Sequence, residues 1–204
     1  MKRIIKSLAA GATLAALPLL NAMEFDLSDP KGVNNIVFLL DAPLESINGT
    51  ATGISGTLAY DPSSPKSTTG KIVVAVDSLS VPNGKMKEHM MGGKWLDQSQ
   101  YPEITFELAS LSDVKKDGDK VSATAHGTMT IKGKSKEMAV PVSLTYLPGM
   151  MQQRQGQEGD IVVVRSEFSV SRSDFGVNAG ENEEKVSDEV ELRLSIAGFA
   201  PADS

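Results

Sequence analysis

The chain has 204 residues and no cysteine. Disulfides, thiolate nucleophiles, cysteine-based metal sites and the lipid-modified cysteine of a lipoprotein are therefore excluded. Whatever holds the fold must be a packed core. Histidine is almost as scarce, with His89 and His126 the only two. A three-histidine metal site cannot be built within one chain, and there is neither an HExxH helix nor an aspartate-rich cation loop. No metal site is expected. Positive charge is in the minority, 20 Lys and Arg against 26 Asp and Glu. Such a chain lacks the electrostatic footprint for nucleic acid or for an anionic membrane surface. A lipid partner would have to be held by apolar contact.

Lys2, Arg3 and Lys6 precede an apolar stretch from Leu8 to Leu20, and Ala22 supplies a small residue at a cleavage position. This layout predicts a secretory signal peptide over residues 1–22. The apolar stretch is short of the roughly 20 residues a membrane span needs, so removal and a periplasmic or secreted destination are expected. Loss of residues 1–22, which hold three positive charges and no negative ones, takes the formal charge from -6 to -9. Residues 23–204 suit one domain, of a size that buries about 70% of its unfolded surface.

Most of that domain alternates apolar and polar residues with period two. Asn34 to Leu40 reads as a first strand. Leu44 to Tyr60 carries Gly49, Gly53 and Gly56, a density that predicts bulges or sharp coiling. Gly70 to Val81 places Ile72, Val74 and Val76 on one face. Ile104, Phe106 and Leu108 follow in phase, and Asp117-Gly118 predicts a hairpin turn. Val121 to Lys132, Met138 to Leu147, Ile161 to Val170 and Val186 to Phe199 alternate in turn, whereas the glutamine-rich run from Pro148 to Gly159 reads as a mobile loop. These about eight hairpin-connected strands predict an all-β fold, an antiparallel sheet closed on itself or two packed sheets. A barrel of about eight strands is just wide enough to be filled by side chains or to hold one small apolar ligand. Ala123, Ala125 and Gly127 could leave a cavity or match bulky partners opposite.

The segment from Lys85 to Phe106 breaks this pattern. Lys85 to Met91 reads as a short helix ended by Gly92 or Gly93. Met90, Met91, Trp95, Leu96 and Tyr101 make either a lid over a ligand or an ordinary plug of the barrel end. His89 and Asp97 could be imagined as an acid–base pair, but catalysis also needs a positioned nucleophile or substrate. A histidine hydrogen-bonded at a helix end is the simpler reading. In Ser171 to Gly176, an Arg172–Asp174 pair is expected to pin the loop.

Four stretches together resemble the YceI family of secreted lipid-binding proteins: KEHMMGGKWLDQSQYPEITF, GTMTIKGKSKEMAVPV, SVSRSDFGV and VSDEVELRLSIAGF. The resemblance implies a lipocalin-like antiparallel barrel, here with a short helical lid, whose interior accepts a long polyisoprenoid chain. Relatives often carry Arg-Asp where this chain has Met86-Lys87, an arginine at Met91, and a histidine near Leu40 to Leu44. These departures take polar groups away from the expected barrel mouth and leave the tail-binding interior intact.

The expectation is an exported protein that sequesters or carries a polyisoprenoid or similar lipid, with no catalytic residue, no metal and no cofactor, an isoprenoid quinone being a candidate ligand. The ligand-binding residues expected are Val74, Val76, Phe106, Met129, Ile131, Val142, Leu144 and Phe168 inside, with Met90, Trp95 and Leu96 at the lid. Two alternatives are a secreted hydrolase or isomerase using His89 and Asp97, and a filled barrel serving as a stress or interaction module. The sequence leaves the oligomeric state open, a homodimer included.

Overall fold

The structure, a computed structural model, describes residues 22–202. The expected signal peptide falls outside the described residues, Ala22 apart.

Strands β1 (Met23–Asp26), β2 (Asn35–Asp41), β3 (Ser46–Ala51), β4 (Ile54–Tyr60), β5 (Thr69–Ala75), β6 (Glu103–Asp117), β7 (Lys120–Ile131), β8 (Lys134–Leu147), β9 (Gly159–Ser171) and β10 (Glu189–Pro201) form one antiparallel sheet. From β4 through β10 each strand pairs with the next one that follows it around the ring. β10 then closes the circle with both β2, along Glu191–Ser195, and β1, at Phe199. Because β1 pairs β4 while β2 pairs β3, these four segments are two long strands, each interrupted once. The result is a closed barrel of eight strand positions, as the alternation predicts.

The two interruptions have different physics. Between β1 and β2 the chain leaves the ladder, and Asn34 fills the gap. Its side-chain oxygen accepts from Ala197 N–H at 2.8 Å while its amide donates to Ala197 C=O at 2.8 Å and Leu27 C=O at 3.0 Å. One buried asparagine thus supplies both bonds that a strand backbone would have given β10. Just past the break between β3 and β4, Gly56 sits at φ +118, where a Cβ would lie 2.0 Å from the Lys71 carbonyl oxygen. Only glycine fits.

Two sequence expectations are overturned. β5 stops at Ala75, and Val76–Ser78 form a 3-10 turn. Ser78 Oγ donates to Ala75 C=O and Val76 N–H is taken by Pro102 C=O at 2.8 Å, so local side-chain bonding wins over strand continuation. Val76 is buried in the core without continuing the inward face of Ile72 and Val74. The segment expected to be mobile, Pro148 to Gly159, contains a short helix, α2 (Met151–Gln155), outside the barrel. Met151 packs with Ile161 and Phe199, and Arg154 stacks over the Phe199 ring at 5.7 Å while bonding Asp29 at 2.7 Å.

Asp29 is the anchor of that corner. Burial pushes its carboxyl up, but the N–H groups of Lys31 and Val33, the Arg154 guanidinium and Asn34 N–H outweigh it and hold it below the ordinary 3.8. A depressed carboxylate contributes stability that is complete above its unfolded value, about 3.9, and lost as pH falls through the lowered one. Asp29→Asn is therefore expected to flatten the acid limb of melting temperature against pH below about pH 4. Thermal melts of variant and parent across the acid range test this, and a variant that keeps the parent's steepness contradicts it.

Candidate functional site

Inward side chains of the ring enclose a cavity of about 640 Å³ whose wall is almost wholly apolar. That is within the roughly 300–1,000 Å³ of small-molecule sites. It exists partly because β7 is lean. Ala125 lies opposite Leu111 and Val140, and Gly127 lets the Phe106 ring lie against the backbone, where a Cβ would come within 2.7 Å of it. Leu111, Val140 and the Phe106 ring take up part of the room that the small residues of β7 leave, but an apolar cavity of about 640 Å³ remains, so the filled-barrel alternative does not describe this interior.

The expected binding residues largely converge. Val74, Phe106, Met129, Ile131, Val142, Leu144 and Phe168 line the wall, and Met90, Trp95 and Leu96 line it from the lid side. Val76 does not reach the cavity, because the turn at Val76–Ser78 takes it out of phase. Leu79 and Val81 line it instead, from the crossing segment that follows that turn. Sequence reasoning also passed over Ile36, Phe38, Leu40 and Leu58 on the interrupted strands. Period two holds within each piece there, but the breaks hide which phase faces in.

At one end the cavity is covered by α1 (Gly84–Met91) and the segment after it. Asn83 caps the helix, its Oδ1 accepting from Lys85 and Met86 N–H. Beyond the helix, Lys132 Nζ donates to the carbonyls of Gly93 (2.9 Å) and Lys94 (3.1 Å), and Asn178 N–H donates to Lys94. Tyr101, expected with the lid, lies on the β7–β8 turn against Gly133 and lines no part of the cavity.

The loop before β10 is held by Arg172, but not through Asp174. Arg172 is 4% exposed and spends its donors on the carbonyls of Ser187, Val177, Asn178 and Val186, at 2.7–2.9 Å. Its guanidinium also covers the Trp95 ring at 5.4 Å. Asp174 pairs with Lys136 on β8 instead. The expected Arg172–Asp174 pair is replaced by a charge bonded to four backbone oxygens.

Between α1, the β2–β3 turn and this loop lie the polar groups that reach the cavity mouth: Glu45, Asn83, Lys85, His89, Asn182 and Lys185. Polar groups therefore stand at the mouth beside Met86 and Met90. They come from α1 with its cap and from two loops distant in sequence, so no local motif carries them.

The opposite end is closed. Phe25 meets Tyr60 and Tyr146 edge-on and the two tyrosine rings are tilted by 52°, with ring centroids 6.2–6.5 Å apart. The Tyr146 hydroxyl donates to Asp160. Burial first, then that bond and the Asp160 charge, push its pKa up to about 12, so it stays a neutral donor.

This arrangement has little to offer catalysis. Asp97 is at φ +50 and its carboxylate accepts from Ser99 at 3.2 Å, while His89 is exposed on α1. His126, on the outer face, lies 2.8 Å from Ser112 Oγ, which also donates to Asp113 Oδ2 at 2.9 Å. A hydroxyl that gives its proton to Asp113 accepts from the imidazole and is not activated by it. Among the described residues no group of three or more His, Asp or Glu is placed to hold a metal.

A closed eight-position antiparallel barrel with a capped mouth, an aromatic floor and an apolar interior defines a lipocalin-like container. The chain belongs to the YceI-like domain family, whose profile it matches over residues 34–197. It is 25% identical over 153 residues to Protein YceI of Escherichia coli O17:K52:H18 strain UMN026, covering 74% of this chain and 72% of that protein. Solved structures share the fold. Burkholderia cenocepacia BcnA matches with a TM-score of 0.65 at 22% identity, over 80% of this chain and 95% of its own. A polyisoprenoid binding domain from Saccharophagus degradans, implicated in plant cell wall breakdown, matches with a TM-score of 0.67 at 10% identity, over 89% and 100%.

Proposed function

We propose that this protein is an exported carrier that holds the hydrocarbon tail of an isoprenoid lipid inside its barrel, with the head group at the mouth. The observation that carries the reading is the 640 Å³ apolar cavity, open beside α1 and shut at the Phe25–Tyr60–Tyr146 end. Family membership and the polyisoprenoid-binding neighbour in Saccharophagus degradans support it. The segment over residues 1–22 supports export, and an isoprenoid quinone is the ligand we would try first.

The wall supplies exclusion of water and dispersion contacts, and the mouth supplies hydrogen-bonding groups for a polar head. Burying each CH2 from water is worth about 0.8 kcal/mol. A lipid that starts in a membrane is already out of water, so the net transfer gain is far smaller. Such a balance suits exchange better than permanent capture, and nothing in it requires a reaction.

The test is native mass spectrometry of residues 23–204, stripped of lipid and mixed with an isoprenoid quinone. One-to-one uptake with a shift in Trp95 fluorescence is expected, since Trp95 lines the cavity. A stripped protein that takes up no quinone and no other isoprenoid overturns the carrier reading.

A further inference from the structure

We infer that the barrel is a blind-ended site with a length limit, taking about four isoprene units of chain, and that Phe25, Tyr60 and Tyr146 set that limit. The inference rests on the carrier reading and deepens it by bounding the ligand class.

The depth of the cavity gives the size. For depth, Val190, Leu192 and Leu194 of β10 line the cavity while Ile196, 0% exposed, does not. From Val190 to Leu194 the strand advances about 13 Å, or about 10 Å along the axis at the usual tilt of about 40°. The α1 layer adds about 10 Å, one helix diameter. An extended carbon chain with bonds of about 1.5 Å advances about 1.3 Å per carbon, so a depth of about 20 Å takes about 16 main-chain carbons, which at four main-chain carbons per isoprene unit is about four units.

Below that level there is no passage. Phe25 is 0% and Tyr60 1% exposed. Beside them a Cβ on Gly198 would come within 2.9 Å of Leu27 and 3.0 Å of Phe25, so the strand itself has no side chain to move aside. Tyr146 is fixed through Asp160, which also accepts from Gly149 N–H at 2.8 Å. A longer chain must leave its remainder outside the mouth.

The experiment measures the affinity of stripped protein for geraniol, farnesol, geranylgeraniol and solanesol, with two variants. In the parent, affinity should rise by at least about tenfold per added unit up to geranylgeraniol, then level off at solanesol. Tyr60→Ala, which opens the floor, should let solanesol gain over geranylgeraniol. Ala125→Phe, which fills the lower cavity from the wall, should erase the advantage of geranylgeraniol over farnesol. Thermal melts confirm that each variant is folded, and Ala125→Phe decides the question alone if Tyr60→Ala is not. Affinity that keeps climbing to solanesol in the parent, or an unchanged preference in folded Ala125→Phe, overturns the length limit and leaves the carrier standing. Absence of binding to every chain overturns the carrier and the length limit with it.

Discussion

Replacing Arg172 by leucine is expected to cost about 3–5 kcal/mol of stability, because it strands four carbonyls at once, two of them buried and two part-buried. Ser187, Val177, Asn178 and Val186 all give their oxygens to this one guanidinium. Leucine fills part of the space and bonds none of them, and the stacking on Trp95 is lost as well. Because the four oxygens lie on both limbs of the loop between β9 and β10, the damage should localise there and at the cavity mouth. Urea unfolding should show a lower midpoint, and limited proteolysis should cut between residues 173 and 188 in the variant first. Arg172→Lys should recover less than half of the loss, since a single ammonium cannot fork to opposite limbs of a loop. A leucine variant within about 1 kcal/mol of the parent would mean that water replaces the guanidinium there without cost.

Much of the barrel is legible in the sequence because its physics is local. β7, β8, β9 and β10 alternate over 12 to 14 residues, and a one-residue slip would turn each apolar face outward, so phase and register are fixed together. The short helix announces itself through Asn83 and the run without β-branched residues that follows. The interrupted strands are harder. β1 is four residues beside the expected cleavage site, and its continuity with β2 is visible only once Asn34 is seen bonding Ala197. Val76 shows the limit of periodicity: it keeps the phase of Ile72 and Val74, yet Asp77-Ser78 turns the chain before the phase can be used. Arg172 was legible as a loop residue but not its partners, because backbone carbonyls leave no mark in a sequence. The floor is the clearest non-local case. Phe25, Tyr60 and Tyr146 stand on or beside three strand ends far apart in the chain, and only closure of the ring brings them together.

Placing a carboxylate in the wall should separate the cavity from the rest of the molecule as the binding site. Val142 lies mid-strand on β8 opposite Ala123, lines the cavity and is only half-buried although it faces inward. In the free protein an aspartate there can stay hydrated through the open mouth, so Val142→Asp should cost about 1–3 kcal/mol of stability and leave the fold intact. An apolar chain entering the cavity must strip that hydration with no partner to offer, at several kcal/mol. Affinity for an isoprenoid should therefore fall by at least about a hundredfold, roughly 2.7 kcal/mol. Val142→Thr keeps the shape and adds one hydroxyl, so its loss should stay within about tenfold. The two variants should also differ in pH dependence, the aspartate regaining affinity as pH falls below about 4 and its carboxyl becomes neutral. Isothermal titration of the parent and both variants at neutral and acid pH makes the comparison. Parent-like affinity in Val142→Asp at neutral pH would place the lipid somewhere other than the barrel interior.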